Sequence, residues 1–241
     1  NVVDDMEAAR AALGYEKINL TGGSSGGAVV LTYCLRYPDR VHRAVMIEAA
    51  FPYDIALSTP QEVDARFERL NVLWKGDPNA VKRSPDIAQT MENVLKRLPR
   101  EWNGIPIDPY KVKMVTYLGT YERPQANMVF DAYVYAERGD FSSIAVMSLL
   151  YDQLVTSFDP GDLLAKTYSS VTDPQRDFIS ELDDPNSIIG SPMSLMAWGG
   201  FQYSHWPTKP VAAEHPPTQK SPVETLLIYG SKETGNAFKH R

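Results

Sequence analysis

Residues 17–37, KINLTGGSSGGAVVLTYCLRY, decide how this chain reads. Lys17 to Thr21 is a short apolar run that predicts a strand, ended by Gly22 and Gly23. Ser25 to Tyr37 predicts a buried helix stopped by Pro38. Upstream, Asp4 to Leu13 is rich in strong helix formers and closes at Gly14. Downstream, Val41 to Ala50 is again strand-like. Helix, strand, tight glycine turn, helix, strand is the order expected of a parallel sheet with crossover helices, so the fold class is α/β.

The middle of the chain follows another rule. Thr59-Pro60, Ser84-Pro85, Asp108-Pro109 and Ser191-Pro192 each set a short polar residue before a proline. That is an N-cap followed by proline at the first helical position, where its missing N–H costs nothing. Thr59 with Glu62 also fits a capping box. Val63, Phe67, Leu70 and Trp74 share one helical face, as do Ile87, Met91, Val94 and Leu98. Ala126 to Glu137 and Ser142 to Leu154 read as helices, and from about Tyr53 to Tyr203 no strand is predicted. The stretch 206–222 holds five prolines and reads as a connector, after which Val223 to Tyr229 predicts one more buried strand. The division is therefore a core at 1–52, a large helical insertion at 53–205, and connector plus core at 206–241.

The chain has 241 residues, 43% of them hydrophobic, enough to bury a sizeable core. A net charge of -6 without any basic run argues against a nucleic-acid partner. No stretch reaches the roughly 18 to 20 apolar residues of a membrane span. The single cysteine, Cys34, leaves no disulfide within the chain and no cysteine-based zinc site. It sits among Val30, Leu31 and Leu35 and reads as an apolar filler.

Gly22-Gly23-Ser24-Ser25-Gly26 matches G-x-S-x-G between a predicted strand and a predicted helix, the context that pattern requires. A turn this tight strains the serine backbone and projects its hydroxyl above the sheet. Glycines on either side avoid a Cβ clash, and the helix directs free N–H groups at the site. Ser24 is thus the candidate nucleophile and the Ser25 N–H the candidate oxyanion donor. The competing reading is a glycine-rich turn that binds phosphate or merely turns. No lysine follows the glycines as a P-loop demands, and G-x-G-x-x-G is absent.

Residues 4–52, DDMEAARAALGYEKINLTGGSSGGAVVLTYCLRYPDRVHRAVMIEAAFP, resemble the tripeptidyl aminopeptidase and proline iminopeptidase branch of the α/β-hydrolases. The helix ending in ALG, the GGSxG elbow and the YPxRV helix end carry the resemblance. It extends more weakly to ERGDFSS at 137–143 and to PVETLLIYGSKET at 222–234. It implies the fifth, sixth and seventh strands of that fold, with the helical insertion as a cap. It also implies a serine, an acid after the seventh strand and a histidine after the eighth. Ser24 takes the nucleophile position, and Glu233 stands where an aspartate is usual. A glutamate there can orient an imidazole as aspartate does, with a slightly different reach; the alternative is a solvated loop carboxylate. Asp54 is a second candidate acid.

No histidine falls where the resemblance requires one. His42 begins a strand, His205 and His215 lie in the insertion exit and connector, and His240 follows Glu233 by seven residues. Glu137 and Asp140 are candidate anchors for a free amino group, with loop or helix-end roles as the alternative. Trp74, Trp102, Trp198 and Trp206 read as cap core or pocket lining. The four preceding strands the resemblance implies are not in the sequence. It therefore reads as the middle of a larger hydrolase with an exposed apolar strand at Lys17 to Thr21, open to self-association or a complementing chain. The expected activity is hydrolysis of a small peptide, amide or ester substrate through an acyl-enzyme, with no metal or organic cofactor implied. The alternative is a silent chain that works as an interaction module.

Overall fold

In a computed structural model of the chain, residues 2–156, 159–173, 175–182, 184–198 and 210–230 are described. The chain divides into two compact units, Asn1–Leu57 with Gly161–Arg176 and Phe201–Arg241, and Ser58–Pro160 with Asp177–Gly200. Gly161–Arg176 thus belongs with the sheet-bearing unit, inside the span the sequence assigns to the insertion.

The first unit opens with α1 (Val2–Ala12). Its end is fixed by Gly14 at φ 75, with Tyr15 N–H bonded to Arg10 O and Gly14 N–H to Ala11 O, the two bonds of a Schellman cap. Then follow β1 (Ile18–Gly23), α2 (Gly26–Arg36) and β2 (Val41–Ile47), with β5 (Thr225–Ile228) returning late in the chain. The sheet order is β1-β2-β5 and both pairings are parallel. Leu20, Ala44 and Met46 turn to one face and pack under Val3, Val30, Tyr33 and Cys34. Tyr33 and Cys34 are fully buried, and burial pushes the Cys34 thiol up to about 11, an apolar filler and not a reactive group.

Three strand expectations change. β1 runs on through Gly22 and Gly23, which pair with Met46 and Ile47, where the sequence ends the strand before them. β2 stops at Ile47 and not at Ala50, because Glu48 adopts φ 45 and leaves the extended region. The last strand is shorter than predicted, and all four of its residues are exposed, not buried. Only β2 pairs with it among the described residues, so Leu226 and Ile228 stay 57% and 44% exposed beside Ile47 at 46%.

Helix α1 is tied to α2 by charge. Glu7 accepts from Arg10 Nε at 2.8 Å and from the Tyr33 hydroxyl at 2.6 Å. Arg36 bridges Asp4 at 2.8 Å and Glu214 at 2.6 Å. The Arg10 and Tyr33 bonds hold the Glu7 carboxyl down from its ordinary 4.5 to about 2. A depressed folded pKa stabilises the fold above the unfolded value and is lost as pH falls from 4.5 toward 2. Wild type should therefore lose more stability between pH 6 and pH 3 than Glu7→Gln, measured by urea unfolding at each pH. Equal losses would sink this assignment.

The second unit is helical. It holds α3 (Pro60–Lys75), α4 (Pro78–Arg83), α5 (Ile87–Lys96), α6 (Pro109–Gly119), α7 (Arg123–Glu137), α8 (Ser142–Val155), α10 (Phe178–Leu182) and α11 (Pro192–Trp198). Helix α9 (Pro160–Ser169) lies almost wholly in the first unit, and α12 (Val211–Glu214) entirely so. The predicted faces are the core: Val63, Phe67 and Trp74 from α3 meet Ile87, Met91 and Val94 from α5, with Leu70 and Leu98 at the margin. The Thr59–Glu62 capping box forms in both directions. Thr59→Ala should cost about 1 kcal/mol in urea unfolding, and a cost near zero would show the cap adds nothing.

Three helix-unit expectations are corrected. Ser84-Pro85 does not open a helix: Asp86 caps α5 by accepting from Gln89 N–H at 2.9 Å. Ser84 is instead buried, its carbonyl taken by Trp74 Nε1 and its hydroxyl by Thr90, both at 2.8 Å. At Ser191-Pro192 the helix does begin, yet the buried Ser191 hydroxyl has no partner among the described residues. The insertion also contains strands, β3 (Glu101–Trp102) and β4 (Ile105–Pro106), paired antiparallel. Asn103 at φ 50 and Gly104 at φ 79 form their two-residue turn, the geometry an Asn-Gly pair favours.

Candidate active site

The site grows from the β1–α2 junction. Ser24 sits at φ 50, in the left-handed region that L-residues with a Cβ rarely adopt. Its neighbours hold it there on both sides. Ser24 N–H donates to Ile47 O at 3.2 Å, while Ser24 O accepts from Gly27 N–H at 3.0 Å and Ala50 N–H at 2.8 Å. The serine backbone is thus fastened to the end of β2 and to the first turn of α2. The side chain is exposed, and its hydroxyl has no hydrogen bond to the described residues.

The glycines do their work at positions the spacing only half indicates. A Cβ on Gly22 would lie 2.5 Å from Gly26 O and 2.8 Å from Val30 Cγ2. A Cβ on Gly27 would lie 2.2 Å from the Ala49 Cβ. Around Gly26 there is open space within 4 Å. The sequence expectation that Gly22 and Gly26 both avoid clashes is corrected at Gly26: the helix meets the β2 exit loop through Gly27. The signal was present as the doubled glycine at 26–27 and the small Ala49 and Ala50.

Ser25 begins α2 at φ −61 and ψ −20 without a side-chain cap bond. Its N–H has no acceptor among the described residues and stands at the positive end of the α2 dipole. At the β2 exit Glu48 is exposed, at φ 45, its N–H bonded to Ile228 O at 2.8 Å. No sequence pattern announced this residue, since a left-handed glutamate carries no local signature.

The titratable candidates are placed differently. Val41 pairs with Ile18 and Ile47 with Gly23, so His42 lies five strand residues, about 16 Å, from the Ser24 end of the sheet. His215 Nδ1 is 3.0 Å from Gln219 Oε1, and its carbonyl accepts from the Tyr53 hydroxyl. Asp54 accepts from Thr172 N–H at 2.9 Å, the Thr172 hydroxyl at 2.7 Å and Arg176 at 3.2 Å, stapling the β2 exit to residues 172–176. Glu137 is paired with Arg97, and Asp140 accepts from Ser142 N–H at 3.0 Å. Trp74 and Trp198 are buried. Glu233, His205, His240 and Trp206 lie outside the described residues.

Among the described residues no group of three or more His, Cys, Asp or Glu could hold a metal ion. No described helix is long and apolar enough to cross a membrane. A strained, exposed serine on a strand–helix elbow at the C-terminal edge of a parallel sheet defines the α/β-hydrolase class. The chain matches the alpha/beta hydrolase fold family over residues 1–237 and belongs to it. Membership points to a hydrolase. No curated relative matches the chain.

Proposed function

We propose that the protein is a serine hydrolase that cleaves peptide, amide or ester bonds through an acyl-enzyme on Ser24. The observation that carries this reading is the Ser24 backbone at φ 50, held by β2 with its hydroxyl exposed. Strain of this kind persists only where the surroundings over-determine it, and it clusters at working sites. Ser24 Oγ attacks the substrate carbonyl and its proton passes to a base. The Ser25 N–H and the α2 dipole stabilise the oxyanion. Collapse expels the amine or alcohol, and water then hydrolyses the acyl ester. Glu233 is the proposed acid that orients the base.

The resemblance of residues 4–52 favours an aminopeptidase-like activity on a free N-terminus, with esterase-like activity second. Intact mass spectrometry with a fluorophosphonate probe tests the core of the proposal: one adduct on wild type and none on Ser24→Ala. Absence of an adduct on wild type would overturn it. Turnover of a free peptide anilide but not of its N-acetylated form then marks an aminopeptidase, and turnover of a chromogenic ester with neither anilide cleaved marks an esterase.

A second reading has its own observation. β1 and β5 are the outer strands of the described sheet, and Ile47, Leu226 and Ile228 are exposed. Bare parallel-sheet surface favours association with a second polypeptide or copy that completes the sheet. Native mass spectrometry decides: a monomer with probe adduct removes this reading.

A further inference from the structure

Arg66 in α3 is the most buried basic side chain of the described residues, 5% exposed, and no carboxylate lies within ion-pair distance of it among them. Other sheltered cations have carboxylate partners. Arg10, 8% exposed, has Glu7; Arg36 has Asp4 and Glu214; Arg176 has Asp54; Lys111 has Asp152. Buried charge is normally paired, because leaving water without a counter-charge is costly.

What Arg66 has is a cage on the last turn of α6. Its Nη2 donates to Thr120 Oγ1 at 2.9 Å and to Tyr117 O at 3.3 Å. Its Cζ lies 4.0 Å from the Tyr121 ring centroid and 5.0 Å from that of Tyr117. The two rings meet edge to face, with Tyr121 donating its hydroxyl to Tyr117 at 3.0 Å. The ring faces and the negative end of α6 offset part of the charge. They leave Nε and Nη1 without an acceptor among the described residues.

A second cation stands on the same side of α6. Lys113 is one turn before Tyr117, at the i,i+4 spacing that places two side chains on one helix face. It is half-buried, it too has no carboxylate partner among the described residues, and desolvation pulls its ammonium below the ordinary lysine range. Tyr121, 51% exposed, is the part of the cage that solvent reaches.

We infer that Arg66, Lys113, Tyr117 and Tyr121 form a binding site in the helical unit for a small oxyanion, a carboxylate or a phosphate group. The ligand supplies the counter-charge that no described residue gives Arg66. The site stands apart from the Ser24 reading and does not depend on it.

The test is calorimetric titration of the full chain with sodium phosphate, sulfate and acetate at constant ionic strength, against chloride. Wild type, Arg66→Met and Lys113→Gln are compared. The expected result is saturable binding of at least one oxyanion, weakened at least about tenfold in both variants, as loss of charge-assisted hydrogen bonds requires. Preference for phosphate over acetate, or the reverse, identifies the class of group. No saturation by about 50 mM on wild type overturns the proposal, as does equal affinity in Lys113→Gln. Arg66→Met replaces a buried charge by an apolar chain of similar length; should it fail to fold, the exposed-side Lys113→Gln decides alone.

Discussion

Ser24→Ala should lower turnover by about 10⁴- to 10⁶-fold and abolish covalent labelling, leaving a residue of activity from binding and the oxyanion donor. The fold should survive, since the side chain is exposed and the backbone bonds to Ile47, Gly27 and Ala50 do not involve it. Ser24→Gly separates chemistry from strain. Glycine adopts φ 50 without the Cβ penalty, so this variant should be equally inactive yet about 1 kcal/mol more stable than Ser24→Ala. Urea unfolding of the two variants makes the comparison. If the glycine form is no more stable, the elbow stores no strain at this residue. If Ser24→Ala keeps its activity, the nucleophile lies elsewhere.

The second large effect concerns the glycine that faces β2. In Gly27→Ala the new methyl would arrive 2.2 Å from Ala49 Cβ and 2.9 Å from Ala49 Cα. Neither contact is the flexible end of a side chain, so α2 must move away from the β2 exit. That movement breaks the Ser24 O bonds to Gly27 and Ala50. The expected cost is about 3 kcal/mol or more, with probe labelling of Ser24 reduced as the elbow shifts. Gly26→Ala, one residue earlier, meets open space and should change stability by less than about 0.5 kcal/mol. Similar stabilities for the two variants would show that the α2–β2 contact is looser than the geometry states.

The parts of the fold that could be read in advance are those governed by near neighbours in sequence. β1, α2 and β2 follow from apolar runs broken by glycine and proline, and the Thr59 and Asp108 caps from polar–proline pairs. Ser84-Pro85 failed by the same logic. Asp86 offers a better acceptor to Gln89 N–H, and Trp74, distant by ten residues, claims the Ser84 carbonyl. The Asn103-Gly104 dipeptide favours a tight turn, but the hairpin is hidden in the sequence because its two-residue strands are too short to show alternation.

At the candidate site the serine elbow was legible because a glycine-flanked serine between strand and helix marks so tight a turn, and Gly22 leaves no room for a Cβ beside Gly26 O. Its supports were not. Gly27 matters because Ala49 lies against it, and Ile47 O reaches Ser24 N–H only because β1 and β2 pair in one register. The same holds for Arg66, an ordinary helix residue in sequence and a caged cation without a carboxylate partner among the described residues once α3 lies on the end of α6.

The sequence by itself determined the alternation of strand and helix around residues 17–47, the helical middle and the serine elbow. These rest on backbone sterics, capping and apolar period, all local. Only the tertiary structure decided which glycine carries the packing, where β2 ends, how exposed β5 remains and which charges lack a partner among the described residues. Each of those depends on contacts between segments that the chain order does not bring together.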